Sequence, residues 1–368
     1  MSSSKTYQVG LVGCGGMGRH HLSVLKQLEE FEIAALCDIV PDTLTKIGEQ
    51  YNVNAHYNDC EKMYAEMDLD IVVVGTQTRG HHAPAVAALS RGISVLCEKP
   101  IAIDLVEADD MVAAAAKSGA KLAINQQNHV NPGIRKAQAM VKDGVIGEVN
   151  LVRGRNKCGR KSGNEFMEMG THVTDMMLCF GGIPQWCSGT VYNQRRLANL
   201  EDIMEAKEMS PGDRDSGLVM GTRAIAHYGF DTGCLGEIHF LGQQGMSANY
   251  GVDVLGETGQ LAVRCSGSIK ENLWHLPRPM EGTPTQLSDW ELVDLTDVGV
   301  EEPIITMYRR FVDAMETDTQ PPSSGEEGRF ALEMIMGIYQ SHKEGGRRVE
   351  IPLADRRHPL EQWRESVE

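Results

Sequence analysis

The stretch that decides the fold is Tyr7-Gln8-Val9-Gly10-Leu11-Val12-Gly13-Cys14-Gly15-Gly16-Met17-Gly18. Residues 7–13 read as a short apolar strand running straight into a glycine-rich turn. Gly13, Gly15 and Gly18 have the Gly-x-Gly-x-x-Gly spacing that a dinucleotide pyrophosphate needs. Gly13 permits the tight turn, Gly15 lets the backbone approach the phosphates, and Gly18 lets the following helix pack close to the strand. Gly16 and Met17 complete the turn, and the helix N-terminus behind it offers unpaired N–H groups and a partial positive charge. Leu22, Leu25 and Leu28 continue that helix at helical spacing.

Outward from this turn, Phe31 to Asp38 reads as a second strand, placing Asp38 twenty residues after Gly18. An acid there accepts hydrogen bonds from ribose hydroxyls and repels a 2′-phosphate. The following Ile39-Val40 adds no phosphate-binding arginine, so the expected cofactor is NAD rather than NADP. Asp70 to Gly75 is a nearly continuous β-branched run, as in a parallel strand buried on both faces. Strands around Val95 and Lys121 to Asn125 alternate with helices over Pro84–Arg91 and Leu105–Ser118. Strict alternation with short links predicts an α/β Rossmann domain, a doubly wound parallel sheet, over residues 1–128.

The periodicity changes near residue 128. A helix from Pro132 to Lys142 precedes a strand from Glu148 to Arg155. Segments of period two then follow at Trp186–Tyr192, Gly217–Tyr228, Gly233–Leu241 and Gly251–Arg264. Residues 129–368 are therefore expected to form an α+β domain around a large, mostly antiparallel open sheet, for substrate binding and oligomerisation. Residues 200–215 and 277–303 read as loops, Glu326 to Lys343 as a last helix, and the remainder as a polar tail.

The 368 residues are more than one ordinary core accommodates, which fits two domains. A net charge of −16 repels polyanions, arguing against nucleic acid and anionic membrane surfaces as partners. No stretch approaches the roughly 18 apolar residues of a membrane helix. Nine cysteines without paired metal spacing, and an N-terminus without an apolar signal core, predict unpaired thiols in the cytoplasm.

Two further segments carry chemistry. Glu98-Lys99-Pro100 follows the strand ending in Cys97, so the Lys99 ammonium is expected near the carboxyl edge of the sheet, where such folds bind ligands. An ordinary solvent-facing lysine is the competing reading. In the segment around Gly170-Thr171-His172-Val173-Thr174-Asp175, Glu168, His172 and Asp175 fall at i, i+4 and i+7 and share one helical face. Val173, Met176, Met177 and Phe180 form the opposite, apolar stripe. His172 suits proton abstraction from an alcohol near neutral pH. The competing readings are a surface helix with incidental charges and a metal site. No second histidine is evident to complete the latter, so no metal is expected. His20 and His21 read as helix surface and packing behind the glycine turn.

These landmarks, in this order, resemble the glucose–fructose oxidoreductase / inositol dehydrogenase / MocA family of nicotinamide-dependent oxidoreductases. The resemblance includes Gly13–Gly18, Gly75-Thr76-Gln77-Thr78-Arg79-Gly80-His81, Leu96–Pro100, Asn131-Pro132, Gly147–Val149 and Gly170–Asp175, with the helix ending before Ile351-Pro352-Leu353. It implies that Lys99 and His172 are catalytic. It implies cofactor contacts from Gly13, Gly15, Gly16, Met17, Gly18, Asp38, Thr76, Thr78, His81, Glu98 and Lys99. Substrate contacts are implied for Lys99, Asn128, Arg155, Lys157, Glu168, His172 and Asp175.

The sequence departs from the family pattern in three places. Glu168 stands where aspartate is common. Gly75-Thr76-Gln77-Thr78 replaces Ala-Thr-Pro-Asn, and Asn125-Gln126-Gln127-Asn128 replaces Asn-Arg-Arg-Phe. The last change removes positive charge, whereas Arg153, Arg155, Lys157, Arg160 and Lys161 could receive a carboxylate, or form a solvated strand edge and loop. The expectation is an NAD(P)-dependent oxidoreductase acting on a secondary alcohol of a sugar, glycoside or cyclic polyol, as a homodimer or homotetramer. Two alternatives stay open: an NAD-dependent glycosidase working by transient oxidation, and a non-catalytic dinucleotide- or sugar-sensing regulator.

Overall fold

A computed structural model describes residues 5–156, 165–209, 215–241, 249–277 and 286–366. They form two compact units, one of residues 1–125 with 307–329 and the other of 126–306 with 330–368.

The first unit contains β1 (Tyr7–Val12), α1 (Gly16–Leu25), β2 (Phe31–Cys37), α2 (Pro41–Tyr51), β3 (His56–Tyr57) and α3 (Cys60–Glu66). It continues through β4 (Ile71–Val74), α4 (His82–Leu89), β5 (Ser94–Cys97), α5 (Leu105–Ser118) and β6 (Leu122–Ile124). The six strands are all parallel, in the order β3-β2-β1-β4-β5-β6. This is the doubly wound order, with its switch point between β1 and β4. Every residue of β4 and β5 is buried. Each fully buried valine or leucine there contributes about 1.5–3 kcal/mol, which is why these strands read as unbroken apolar runs. Asp104 caps α5 by accepting from the Glu107 amide, and Gly119 stops it in the left-handed region.

Residues 307–329, which the sequence reading leaves in the second domain, pack with the first unit. Tyr308 explains the return: its ring lies edge-on to both His21 and Phe31, with centroids 5.8 and 5.4 Å away. The Ile124 amide also donates to the Ser323 carbonyl, extending β6 by a bridge to residue 324.

The second unit begins with α6 (Pro132–Lys142), β7 (Val149–Arg155), α7 (Thr171–Gly181), β8 (Pro184–Asn193), β9 (Arg196–Leu197) and β10 (Ile203–Glu205). Next come α8 (Ala206–Met209), β11 (Leu218–Met220), β12 (Arg223–Phe230), β13 (Leu235–Phe240), β14 (Gly251–Gly256), β15 (Gly259–Arg264), β16 (Leu273–Pro277) and β17 (Glu291–Leu292). The chain ends through α9 (Pro303–Thr317), α10 (Gly325–Lys343), β18 (Val349–Glu350) and α11 (Pro359–Glu365).

The large sheet runs β17-β16-β15-β14-β7-β13-β12-β8-β18, with β9 on β8. It is antiparallel except for the pair β7–β13. Strand β7 is therefore central, so the charged strand edge considered for Arg153 and Arg155 is an interior strand. Helix α7 lies close against β7 at Gly154, where a Cβ would stand 2.6 Å from Val173 and 2.7 Å from the Met177 sulfur. Residues 200–215 are not wholly loop: a single helical turn, β10 and α8 occupy 200–209. The polar tail contains α11. No helix among the described residues is long and apolar enough to cross a membrane.

Candidate active site

In the first unit the glycine turn is built as its spacing requires. Gly13 has φ of +93°, and a Cβ on Gly18 would lie 1.8 Å from the Gly13 carbonyl oxygen. Only glycine fits that approach of helix to strand. Cβ atoms on Gly15 or Gly16, by contrast, would meet nothing within 4 Å. Gly15 precedes α1, and no side chain caps the helix start. Open space over uncapped N–H groups at a helix N-terminus suits the pyrophosphate of a dinucleotide; Met17 sits in that first turn.

Asp38 follows β2 beside this turn. Its carboxylate accepts from the Cys14 amide at 2.7 Å and from the Val40 amide at 2.8 Å. These bonds fix the carboxylate beside the glycine turn. Burial pushes the Cys14 thiol up to about 12, with the Asp38 charge adding to it, so Cys14 is no nucleophile at neutral pH. Thr76 borders the turn from the end of β4: its amide would lie 2.8 Å from a Gly13 Cβ. Thr78 is buried, and its hydroxyl has no hydrogen-bond partner among the described residues.

Lys99 is 7% exposed, so the solvent-facing reading does not hold. The turn carrying it is pinned from both sides. His81 Nδ1 donates to the Pro100 carbonyl at 2.9 Å. On the other side, Glu98 Oε1 accepts from Asn125 Nδ2 at 2.8 Å and from His21 Nε2 at 3.0 Å. His21 is fully buried and lies within 2.6 Å of the Tyr308 hydroxyl, so it is a core residue and not helix surface. Burial holds the Tyr308 phenol well above its ordinary value, with the Glu98 charge adding to it. The phenol therefore keeps its proton, and the two ring nitrogens of His21 bridge it to Glu98. Sequence reasoning took Glu98 from the motif but missed Tyr308, 287 residues from its partner histidine.

In the second unit, Glu168 lies in a π-helical turn, Phe166–Gly170, that leads into α7. Such wide turns gather at functional sites because they re-aim side chains. Glu168, His172 and Asp175 are all buried, and α7 is buried on nearly every side. The surface-helix reading therefore fails. Asn128 donates to the Tyr250 hydroxyl at 2.8 Å. Burial raises the Tyr250 phenol, with the charges of Cys265, Asp175 and Glu165 adding to it. Tyr250 and Glu165 thus belong to the same polar surroundings, although no motif pointed to them.

Asp175 also meets two residues that the sequence reading did not connect with it. Its Oδ1 lies 3.2 Å from His129 Nδ1, and Cys179 Sγ lies 3.6 Å from the same nitrogen. Burial alone would lower the His129 pKa, but the neighbouring Cys179 and Asp175 charges overcome it and hold the imidazole well above its ordinary value.

The arginines of β7 have partners within the sheet. Arg153 Nε pairs with Glu237, and Arg155 Nε donates to Asp253 at 2.5 Å, whose other oxygen takes Arg264 at 2.6 Å. An internal carboxylate thus meets the Arg155 guanidinium in this structure. Lys157, Arg160 and Lys161 lie outside the described residues.

Comparison with known proteins agrees with this architecture. The family model of the oxidoreductase family with an NAD-binding Rossmann fold, GFO_IDH_MocA, matches residues 7–126. The chain is 23% identical to D-apiose dehydrogenase of Paraburkholderia graminis, over 96% of this chain and 92% of that one. It is 31% identical to an inositol 2-dehydrogenase/D-chiro-inositol 3-dehydrogenase of Lactiplantibacillus plantarum, over 42% and 45% of the two chains. The crystal structure of an NAD-binding oxidoreductase from Klebsiella pneumoniae superposes with a TM-score of 0.77 at 17% identity, covering 94% of this chain and 99% of the other. With its glycine turn and its Asp38, the unit of residues 7–126 matches the NAD-binding Rossmann fold of the glucose–fructose oxidoreductase / inositol dehydrogenase / MocA oxidoreductase family, and the chain as a whole is similar to dehydrogenases.

Proposed function

We propose that the protein is a dehydrogenase for a secondary alcohol of a sugar, glycoside or cyclic polyol. The observation that carries this reading is a lysine buried at the carboxyl end of β5, in a parallel sheet whose first turn fits a dinucleotide. The glycine turn and Asp38 would hold NAD, which supplies a hydride acceptor. In this reading the role of His172 is to accept the proton of the substrate hydroxyl, and that of the Lys99 ammonium is to stabilise a developing alkoxide by donating a hydrogen bond. General acid–base assistance of this kind contributes on the order of 10²–10⁴-fold. Glu168, Asp175 and Asn128 offer carboxylate and amide groups for neighbouring hydroxyls, the chemistry that a polyol presents. The names of the apiose and inositol dehydrogenases among the relatives support a hydroxyl-rich, uncharged substrate.

A homo-oligomer is part of this proposal: Ile225 and Leu235, on adjacent strands of the open sheet, are 39% and 51% exposed. The test is incubation with NAD and a panel of sugars, cyclic polyols and chromogenic glycosides, following NADH and aglycone together. Net NADH with one of the alcohols supports the dehydrogenase. Aglycone release without net NADH would replace it with a redox-neutral glycosidase. NAD binding without turnover on any member would replace it with a sensor.

A further inference from the structure

We infer that His129, Asp175 and Cys179 form a binding site for one divalent transition-metal ion of the zinc class within the second unit. Asp175 and Cys179 are i and i+4 on α7, so their side chains stand one above the other on a single helical face. His129 comes from the short helical turn Gln127–Val130 and points its Nδ1 at both. The three donor atoms all lie within 4.8 Å of one another. Asp175 is fully buried, and the His129 side chain is 11% exposed.

The spacing is that of ligands around one ion. Without an ion, the neighbouring carboxylate and sulfur hold a proton on the ring; an ion bound there would displace it. A tetrahedral zinc, with metal–nitrogen, metal–oxygen and metal–sulfur bonds of about 2.0–2.3 Å, separates its ligands by roughly 3.3–3.6 Å. The observed separations from Nδ1 are 3.2 Å to oxygen and 3.6 Å to sulfur. A mixed nitrogen, oxygen and sulfur set favours zinc-like ions, whereas magnesium and calcium take oxygen ligands. Three protein ligands leave a fourth position for water or a hydroxyl. The ion would tether the turn at 127–130 to α7. Asp175 is shared with the groups assigned above to substrate hydroxyls, so the proposal is tested by metal uptake and not by turnover.

The test is titration of the chelator-treated full-length protein with Co²⁺, followed by optical spectroscopy. The expected result is one equivalent bound, with a thiolate-to-cobalt charge-transfer band and intense tetrahedral visible bands, displaced by Zn²⁺. Cys179→Ser should abolish the charge-transfer band and His129→Gln should weaken binding, while Cys265→Ser leaves the spectrum unchanged. Circular dichroism checks that each variant folds. If a variant does not fold, mass spectrometry of the wild-type chain decides, because Zn²⁺ should slow alkylation of Cys179 and not of Cys60. Absence of the band in wild type, its survival in a folded Cys179→Ser variant, or unprotected Cys179 would each overturn the proposal.

Discussion

His21 Nε2 lies 3.0 Å from Glu98 Oε1, and both side chains are buried in the core of the Rossmann unit. This bond joins the helix behind the glycine turn to the residue directly before Lys99. The phosphate-binding turn and the lysine are thereby held in one rigid frame, with Tyr308 at the far end of the relay and Asn125 on the same carboxylate oxygen.

Breaking this relay at its centre leaves a buried carboxylate short of a donor, which costs about 1–3 kcal/mol. His21→Leu should lower stability by that order in denaturant unfolding. Tyr308→Phe, which removes a single hydroxyl, should cost about 1 kcal/mol. Equal small losses from both variants would show that the pair is not a structural keystone.

Asp38 should govern cofactor choice. Asp38→Ala removes the charged acceptor that a ribose hydroxyl would use, a bond worth roughly 1.5–3 kcal/mol, so affinity for NAD should fall about 10–100-fold. Discrimination against NADP should fall with it, because the repelling charge is gone. Isothermal titration with both cofactors reads the outcome. Unchanged preference would remove Asp38 from the nucleotide site.

Gly18 admits no substitute. A Cβ would stand 1.8 Å from the Gly13 carbonyl, a backbone atom that cannot swing away. Gly18→Ala should destabilise the unit by about 1–3 kcal/mol and weaken NAD binding as well, since the clash displaces the turn itself. Thermal melts with and without NAD separate the two effects.

Acid should destabilise the second unit through His358. This residue is 5% exposed, stacks on Tyr339, and accepts from the Leu360 amide through Nδ1 at the start of α11. Burial lowers its pKa from 6.5 to about 4. The unfolded chain therefore takes up a proton that the folded chain refuses. The favourable contribution is fully present above pH 6.5 and is lost as the pH falls toward 4, by an amount on the order of 3 kcal/mol. His358→Asn keeps a capping oxygen without a titrating ring and should flatten this part of the pH–stability curve.

Local signals in the sequence were legible wherever one element carried its own punctuation. Helix α5 was readable from Leu105 to Ser118 because Asp104 caps it and Gly119 stops it. The buried strand β4 was readable because both faces demand apolar side chains. Gly217–Tyr228 reads as one strand, but the chain divides it into β11 and β12 at Gly221, whose φ is +72°. Helix α9 lay hidden beyond a proline-marked polar stretch, although Pro303 is a natural first residue for a helix. Long-range relationships were illegible for a different reason. His129 and Asp175 are 46 residues apart, and nothing in either neighbourhood specifies the other. The partners of Arg153 and Arg155 depend likewise on strand register, which places Glu237 and Asp253 directly across from Arg153.

Lys99→Ala, measured with the first alcohol that the wild-type enzyme oxidises, tests the catalytic account most directly. Turnover should fall by two to four orders of magnitude, while NAD binds with wild-type affinity and the melting temperature stays within a few degrees. An enzyme that lacks this amine and still reduces NAD at the wild-type rate would contradict the assignment.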